Sequence, residues 1–203
     1  MSVDSFIGGP NGELDWMTWD WDDELKNYVD ELHKTVDTIL LGRKMADGFI
    51  KHWTAVAANP DDEGHVFGKK MIDTPKIVFS KTLGSSEWEN TQIASDLEGG
   101  VAKLKNSEGG DIIAYGGAGF DTSLIKAGLI DEYHLFINPT ALGEGLTIFQ
   151  GLKTRGNCFL QAPHHTNAGS SFSDTNQSVQ SRRRKHKRRE LATRFVASAG
   201  VEF

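Results

Sequence analysis

The chain has 203 residues, a formal net charge of −6 and one cysteine, Cys158. That length gives one ordinary domain enough core to stand without disulfides, and a lone cysteine excludes an internal disulfide or a cysteine-rich metal site. The charge is uneven. Residues 1–153 carry 13 Lys+Arg against 25 Asp+Glu, whereas residues 154–203 carry 9 against 3. An acidic body argues against a nucleic-acid-binding core, and no apolar run approaches the ~20 residues that span a bilayer. No signal-peptide pattern opens the sequence, so a cytoplasmic protein is the expectation.

Phe6-Ile7-Gly8-Gly9-Pro10-Asn11-Gly12 opens the chain as a turn-rich loop. Acids at Asp20–Glu24 then precede a helix whose apolar face is Leu25, Tyr28, Val29, Leu32 and Val36, at spacings of three and four. A strand follows at Thr38–Leu41, then a short helix over Arg43–Ile50 and another over Gly64–Ile72. Strands are expected at Lys76–Ser80 and Thr91–Ala94, with a helix from Asp96 carrying Leu97, Val101 and Leu104. After strand Asp111–Tyr115, a helix over Phe120–Ala127 stops at Gly128, a favourable C-terminal cap. Glu132–Asn138 alternates as a strand that Pro139 ends. Strands alternating with helices predict an α/β sheet.

Residues 154–203 read differently. Asn157–Gln180 is rich in Ser, Thr, Asn, Gln and His, and Arg182–Arg189 is a nearly unbroken basic run. Such composition predicts a disordered, low-complexity tail after a domain at 1–153.

Three segments carry most of the chemistry: Ile39–Met45, Ile77–Leu83 and Ile112–Phe120. Each is an apolar strand that breaks at once into Gly, Ser or a cation. Gly42, Ser80 and Gly116 are 38 and 36 residues apart, about one strand–helix–strand excursion each. A strand-end Gly followed by a helix start, as in Gly42-Arg43-Lys44, offers N–H donors and cations to a phosphate; taken alone, a tight turn with solvated cations is the plainer reading. Ser80-Lys81 is a weaker signal. Gly116-Gly117-Ala118-Gly119 is stronger, because small residues let the backbone approach a pyrophosphate, although it is not the G-x-G-x-x-G fingerprint. His33, His52, His65 and His134 share no metal-ligand spacing, and no metal site is expected.

Taken with Ser2-Val3-Asp4 through Trp16, Leu41-Gly42-Arg43-Lys44, Val78-Phe79-Ser80-Lys81-Thr82-Leu83, Tyr115-Gly116-Gly117-Ala118 and Leu129–Leu135, these segments resemble the dihydrofolate reductase-like superfamily. Within it they are most similar to the riboflavin-biosynthesis reductase (RibD C-terminal domain) family, over about Met1–Gly151. The resemblance implies a three-layer fold, with a mixed, mostly parallel sheet flanked by helices. It implies an NADPH-dependent reductase, usually a homodimer, acting on a pteridine- or pyrimidine-like heterocycle. It implies that Gly42, Arg43, Lys44, Ser80 and Lys81 surround the adenosine ribose and its 2′-phosphate. Gly116, Gly117, Ala118 and Gly119 would surround the pyrophosphate. Asp4 is the candidate catalytic residue beside the nicotinamide, with a loop cap as its plainer role. Trp16 is the candidate wall of the substrate pocket. One of Asp22, Asp23, Glu24, Asp30 and Glu31 could serve as a substrate-binding carboxylate.

The resemblance departs at both ends. Family members carry a central strand before the Ser2-Val3-Asp4 segment, and a closing pair of strands after a turn like Gly151-Leu152. The first is not seen in this sequence, and from Thr154 nothing resembles the second. A shifted reading frame is one expected cause. The basic run could instead serve nucleic-acid contact or nuclear import, and an inactive remnant of the reductase is the third reading.

Overall fold

In the computed structural model, the residues described are 1–17, 22–153, 159–165, 171–176 and 193–197. The elements in chain order are α1 (Asp23–His33), β1 (Val36–Gly42), α2 (Arg43–Ala58), α3 (His65–Asp73), β2 (Lys76–Phe79) and β3 (Thr91–Ala94). They continue with α4 (Leu97–Lys105), β4 (Asp111–Tyr115), α5 (Ala118–Lys126), β5 (Glu132–Ile137), β6 (Phe159–His165), β7 (Ser171–Asn176) and β8 (Thr193–Ala197).

The eight strands form one sheet in the order β3-β2-β1-β4-β8-β5-β7-β6. The first six in that order run parallel; at one edge β7 is antiparallel to β5, and β6 antiparallel to β7. Strands buried on both faces read as continuous apolar runs, which is why Ile39-Leu40-Leu41 and Ile112-Ile113-Ala114 show no alternation. Their side chains part between two cores. Ile39, Leu41, Val78 and Ile113 meet Leu25 and Leu32 of α1, Phe49 and Trp53 of α2 and Met71 of α3. Leu40, Ile112 and Ala114 meet Val101 of α4 and Leu124 of α5 on the opposite face. Two helical layers therefore enclose the sheet, the expected three-layer α/β fold.

Local chemistry sets the element ends. Asp22 caps α1 by accepting from the Leu25 N–H at 2.8 Å, and Asp96 caps α4 from Gly99 at 3.0 Å. Lys76 is 1 % exposed, and its Nζ donates to Ile72 O and Thr74 O at 2.7 Å each, serving the carbonyl end of α3. Burial holds that amine down, at about 8.

Several elements differ from the sequence expectation. α2 runs to Ala58 rather than Ile50, because Trp53 and Val56 continue its inner face onto the α1–α3 core. Val36 starts β1 instead of ending α1, which stops at His33 with Lys34 as its C-cap. The larger correction concerns the polar stretch after Thr154. β6 and β7 form an antiparallel pair on β5, and β8 enters the centre of the sheet, so regular structure continues at 159–165, 171–176 and 193–197. Strand pairing uses backbone N–H and C=O groups, which a composition rich in Ser, Thr and Asn does not reveal. The basic run Arg182–Arg189 lies outside the described residues. Among the described residues no helix is long and apolar enough to cross a membrane, and no cluster of His, Cys, Asp or Glu has the makings of a metal site.

Candidate active site at the strand ends

β2, β1 and β4 are parallel neighbours, with Gly42 opposite Phe79 and Leu41 opposite Tyr115. The residues that follow each strand, Arg43, Ser80 and Gly116, therefore emerge at one edge of the sheet. At an interstrand spacing of 4.7–4.9 Å they lie within roughly 10 Å of one another. The structure thus brings together the three segments that the sequence singles out.

Two helices begin at this edge. α2 starts from Gly42 (φ −73°, ψ 142°) and α5 from Gly117 (φ −91°, ψ 170°), and neither has a side chain capping its first turn. The free N–H groups and the positive dipole end make each a natural seat for an anion. Arg43 and Lys44 are exposed, as is Lys81. Among the described residues the side chains of these three cations have no hydrogen-bond or ion-pair partner around the β1 and β2 ends.

The four glycines do different work. A Cβ on Gly42 would lie 2.8 Å from Phe120 Cβ, and one on Gly116 would lie 2.5 Å from Asp121 Oδ1, with Phe120 Cδ1 also in the way. Gly42 and Gly116 are thus the seat of Phe120, whose ring stacks on Phe79 with centroids 5.9 Å apart. Gly117 and Gly119 are exposed, and a Cβ on either would meet nothing within 4 Å. Only these two leave open space for a ligand against the backbone. Ala118 is buried in the α5 core. Nothing in the sequence spacing separates the two kinds of glycine; the bulky Phe120 three residues after Gly117 is the one available signal.

Ser80 is 7 % exposed and serves its own turn, its Oγ accepting from the Thr82 and Leu83 N–H groups at 3.2 and 3.0 Å. Its hydroxyl also lies 3.4 Å from Thr82 Oγ1, and either oxygen can be the donor. Asp121, which sequence reading did not single out, is 1 % exposed in the first turn of α5, and its Oδ1 has no hydrogen-bond partner. Burial pushes its carboxyl well above the ordinary carboxylate range.

β5 also runs parallel, so its carboxyl end reaches the same edge. There Asn138 N donates to Met1 O at 2.7 Å and Val3 N to Thr140 O at 2.9 Å, and the Met1 nitrogen donates to Phe136 O. The N-terminal loop is thereby fixed beside the β5 end. Asp4 accepts from Ser2 Oγ at 2.6 Å, from Leu142 N at 3.0 Å and from Gly143 N at 2.7 Å. The Ser2 hydroxyl and then the Gly143 and Leu142 N–H groups bring its carboxyl down to about 2. Asp4 is a fixed negative charge clamping two loops, and at neutral pH it has no proton to give. Trp16 is half-buried on the same loop, with its Nε1 donating to Glu13 O at 3.0 Å. Of the five acids at α1, Asp22 is used as the helix cap, and Asp23, Glu24, Asp30 and Glu31 are exposed, the last paired with Lys34.

A family model, the RibD C-terminal domain, matches residues 1–172. The uncharacterized protein YyaP of Bacillus subtilis (strain 168) is 36 % identical over 157 residues, 77 % of this chain and 80 % of that protein. Among solved structures, a protein from Shewanella sp. PV-4 assigned to riboflavin biosynthesis superposes with a TM-score of 0.65 at 18 % identity, covering 88 % of this chain and 95 % of its own. Dihydrofolate reductase from Enterococcus faecalis, complexed with NADP(H), superposes with a TM-score of 0.54 at 16 % identity, covering 88 % and 92 %. Fold and sequence match agree: the chain has a dihydrofolate reductase-like fold and belongs to the RibD C-terminal domain family.

Proposed function

We propose that this protein is an NADPH-dependent reductase that transfers hydride to a pteridine- or pyrimidine-like heterocycle. One observation carries the reading: two helix N-termini without a side-chain cap, an open glycine pair and three cations unpaired among the described residues share one edge of a parallel sheet. The open space at Gly117 and Gly119, which a Cβ would fill, fits a pyrophosphate, and the α5 N–H groups would bind it. Arg43, Lys44 and Lys81 would hold a ribose 2′-phosphate, which favours NADPH over NADH. Ser80 would turn its hydroxyl from Thr82 Oγ1 to the adenosine ribose or its phosphate. When bound, the nicotinamide supplies the hydride, and the protein supplies orientation. On the other side of the edge, the Asp4 carboxylate fixes the 140–143 loop against the N-terminal loop, and Trp16 would close over a flat ring. A homodimer belongs to the same proposal.

Incubation with NADPH and a panel of oxidised pteridines and aminopyrimidines tests the activity, read as loss of nicotinamide absorbance. Turnover with one of these heterocycles, several-fold faster with NADPH than with NADH, is the expected result. Tight NADPH binding with no turnover on any member of either class would refute the substrate assignment.

A further inference from the structure

The last strand in the chain sits in the middle of the sheet. β8 pairs in parallel with β4 (Ile112 opposite Thr193, Ala114 opposite Phe195) and with β5 (Tyr133 opposite Phe195, Leu135 opposite Ala197). Among the described residues, β3-β2-β1-β4 and β5-β7-β6 are joined in the sheet only through it. The flanks of this slot are deeply buried: Ile113 and Ala114 are 0 % exposed and Tyr133 is 2 %. An empty slot would leave facing rows of backbone N–H and C=O groups unpaired, at about 1–3 kcal/mol for each buried group.

The register also places the end of β8. Counting on from Ala114 opposite Phe195 sets Gly116 level with Ala197. β8 therefore ends at the edge that carries the Gly116–Gly119 turn on one side and the Met1–Asp4 loop on the other. Those two parts stand two strand spacings apart, about 10 Å, because β8 lies between β4 and β5. Asn176 of β7 and Arg194 of β8 are both in register with Glu132, so they too are about 10 Å apart. A stretch of 16 residues, the number from 177 to 192, exceeds that gap several-fold when extended, so chain length allows β8 to come from the same chain.

We propose that β8 is a keystone strand: docked from the same chain between β4 and β5, it joins the two halves of the sheet and sets the spacing between the glycine turn and the Asp4 loop. The consequence for ligand binding rests on the cofactor reading above; the docking itself does not.

The experiment has two arms. In the first, without ligand, hydrogen exchange on the unmodified chain is expected to show the Arg194–Ala197 amides as protected as those of Ile112–Tyr115. In parallel, Ala114→Cys with Phe195→Cys, in a Cys158→Ser background, is expected to oxidise to a monomeric disulfide, since paired strands lie within the Cα range a disulfide spans. Ala114→Cys with Ala197→Cys, two residues out of register, is expected not to. Unprotected 193–197 amides beside protected Ile112–Tyr115, equal cross-linking in both registers, or a disulfide joining two chains would each overturn the proposal. Exchange alone decides if the cysteine variants fail to fold.

In the second arm, Phe195→Pro removes a ladder donor, and NADPH affinity is expected to fall at least tenfold. Equal affinity would overturn the spacing role. Absence of NADPH binding in the unmodified chain, with the first arm positive, would sink the cofactor reading and leave the keystone standing.

Discussion

Gly117→Asp separates ligand binding from folding at a single position. Gly117 is the N-cap of α5, in extended backbone (φ −91°, ψ 170°) that any residue adopts, and a Cβ there meets nothing within 4 Å. Asp is a better N-cap than Gly by a few tenths of a kcal/mol, and its charge suits the helix dipole by about 0.3–1 kcal/mol. The substitution is therefore expected to raise stability by about 0.5 kcal/mol, read as a higher urea midpoint at unchanged slope. For a bound pyrophosphate the same carboxylate is repulsive. Two unit charges 4 Å apart interact by about 4 kcal/mol at an effective dielectric of 20. Half of that, allowing for solvent screening at an exposed turn, is still roughly 30-fold in Kd. NADPH titration followed by nicotinamide fluorescence measures it. A variant that binds NADPH as tightly as the parent would refute the pyrophosphate seat, and one that unfolds would refute the open geometry at Gly117.

Other consequences follow from the same geometry. Gly42→Ala and Gly116→Ala, which press on Phe120, are expected to lose about 1–3 kcal/mol in urea unfolding. Loss at Gly117→Ala as large as at Gly116→Ala would contradict the division between packing and open glycines. Asp121→Asn is expected to be more stable than the parent at neutral pH, since a buried carboxyl with an unserved oxygen costs about 1–3 kcal/mol. Because burial raises the carboxyl of Asp121, the parent is favoured below the ordinary Asp range, near 3.8, and loses stability as pH rises above it. Unfolding midpoints across pH should show that slope flattened in Asp121→Asn, and identical slopes would speak against a carboxyl raised by burial. Asp4 has the opposite sign: held down to about 2, it stabilises above about 3.8, and that contribution disappears as pH falls towards 2. An acid titration of Asp4→Asn should lack this limb; a curve superimposable on the parent's would remove the clamp.

The parallel core and the edge at which the site forms were legible in the chain. Apolar runs at Ile39–Leu41 and Ile112–Ala114 mark strands buried on both faces, and each breaks where the strand leaves the core. The role of each glycine was not legible. Gly42 and Gly116 look like ligand-facing residues until Phe120 is seen filling their missing Cβ, a contact made 78 residues from Gly42. The Asp4 clamp was equally hidden, since its Leu142 and Gly143 donors are 138 and 139 residues away. The strands past Thr154 were missed because their polar residues give no period, and pairing of their backbone depends on buried partners in β4 and β5. The family match, which extends through residue 172, reaches into that stretch.

In the proposed function, the cations beside β1 and β2 read a ribose 2′-phosphate. Parallel titrations of the parent, Arg43→Ala and Lys81→Ala with NADPH and NADH test it most directly. The expected result is a parent preference for NADPH of tenfold or more that shrinks in both variants while NADH affinity stays unchanged. Equal affinity of the parent for the two cofactors, or a preference that survives both substitutions, would contradict it.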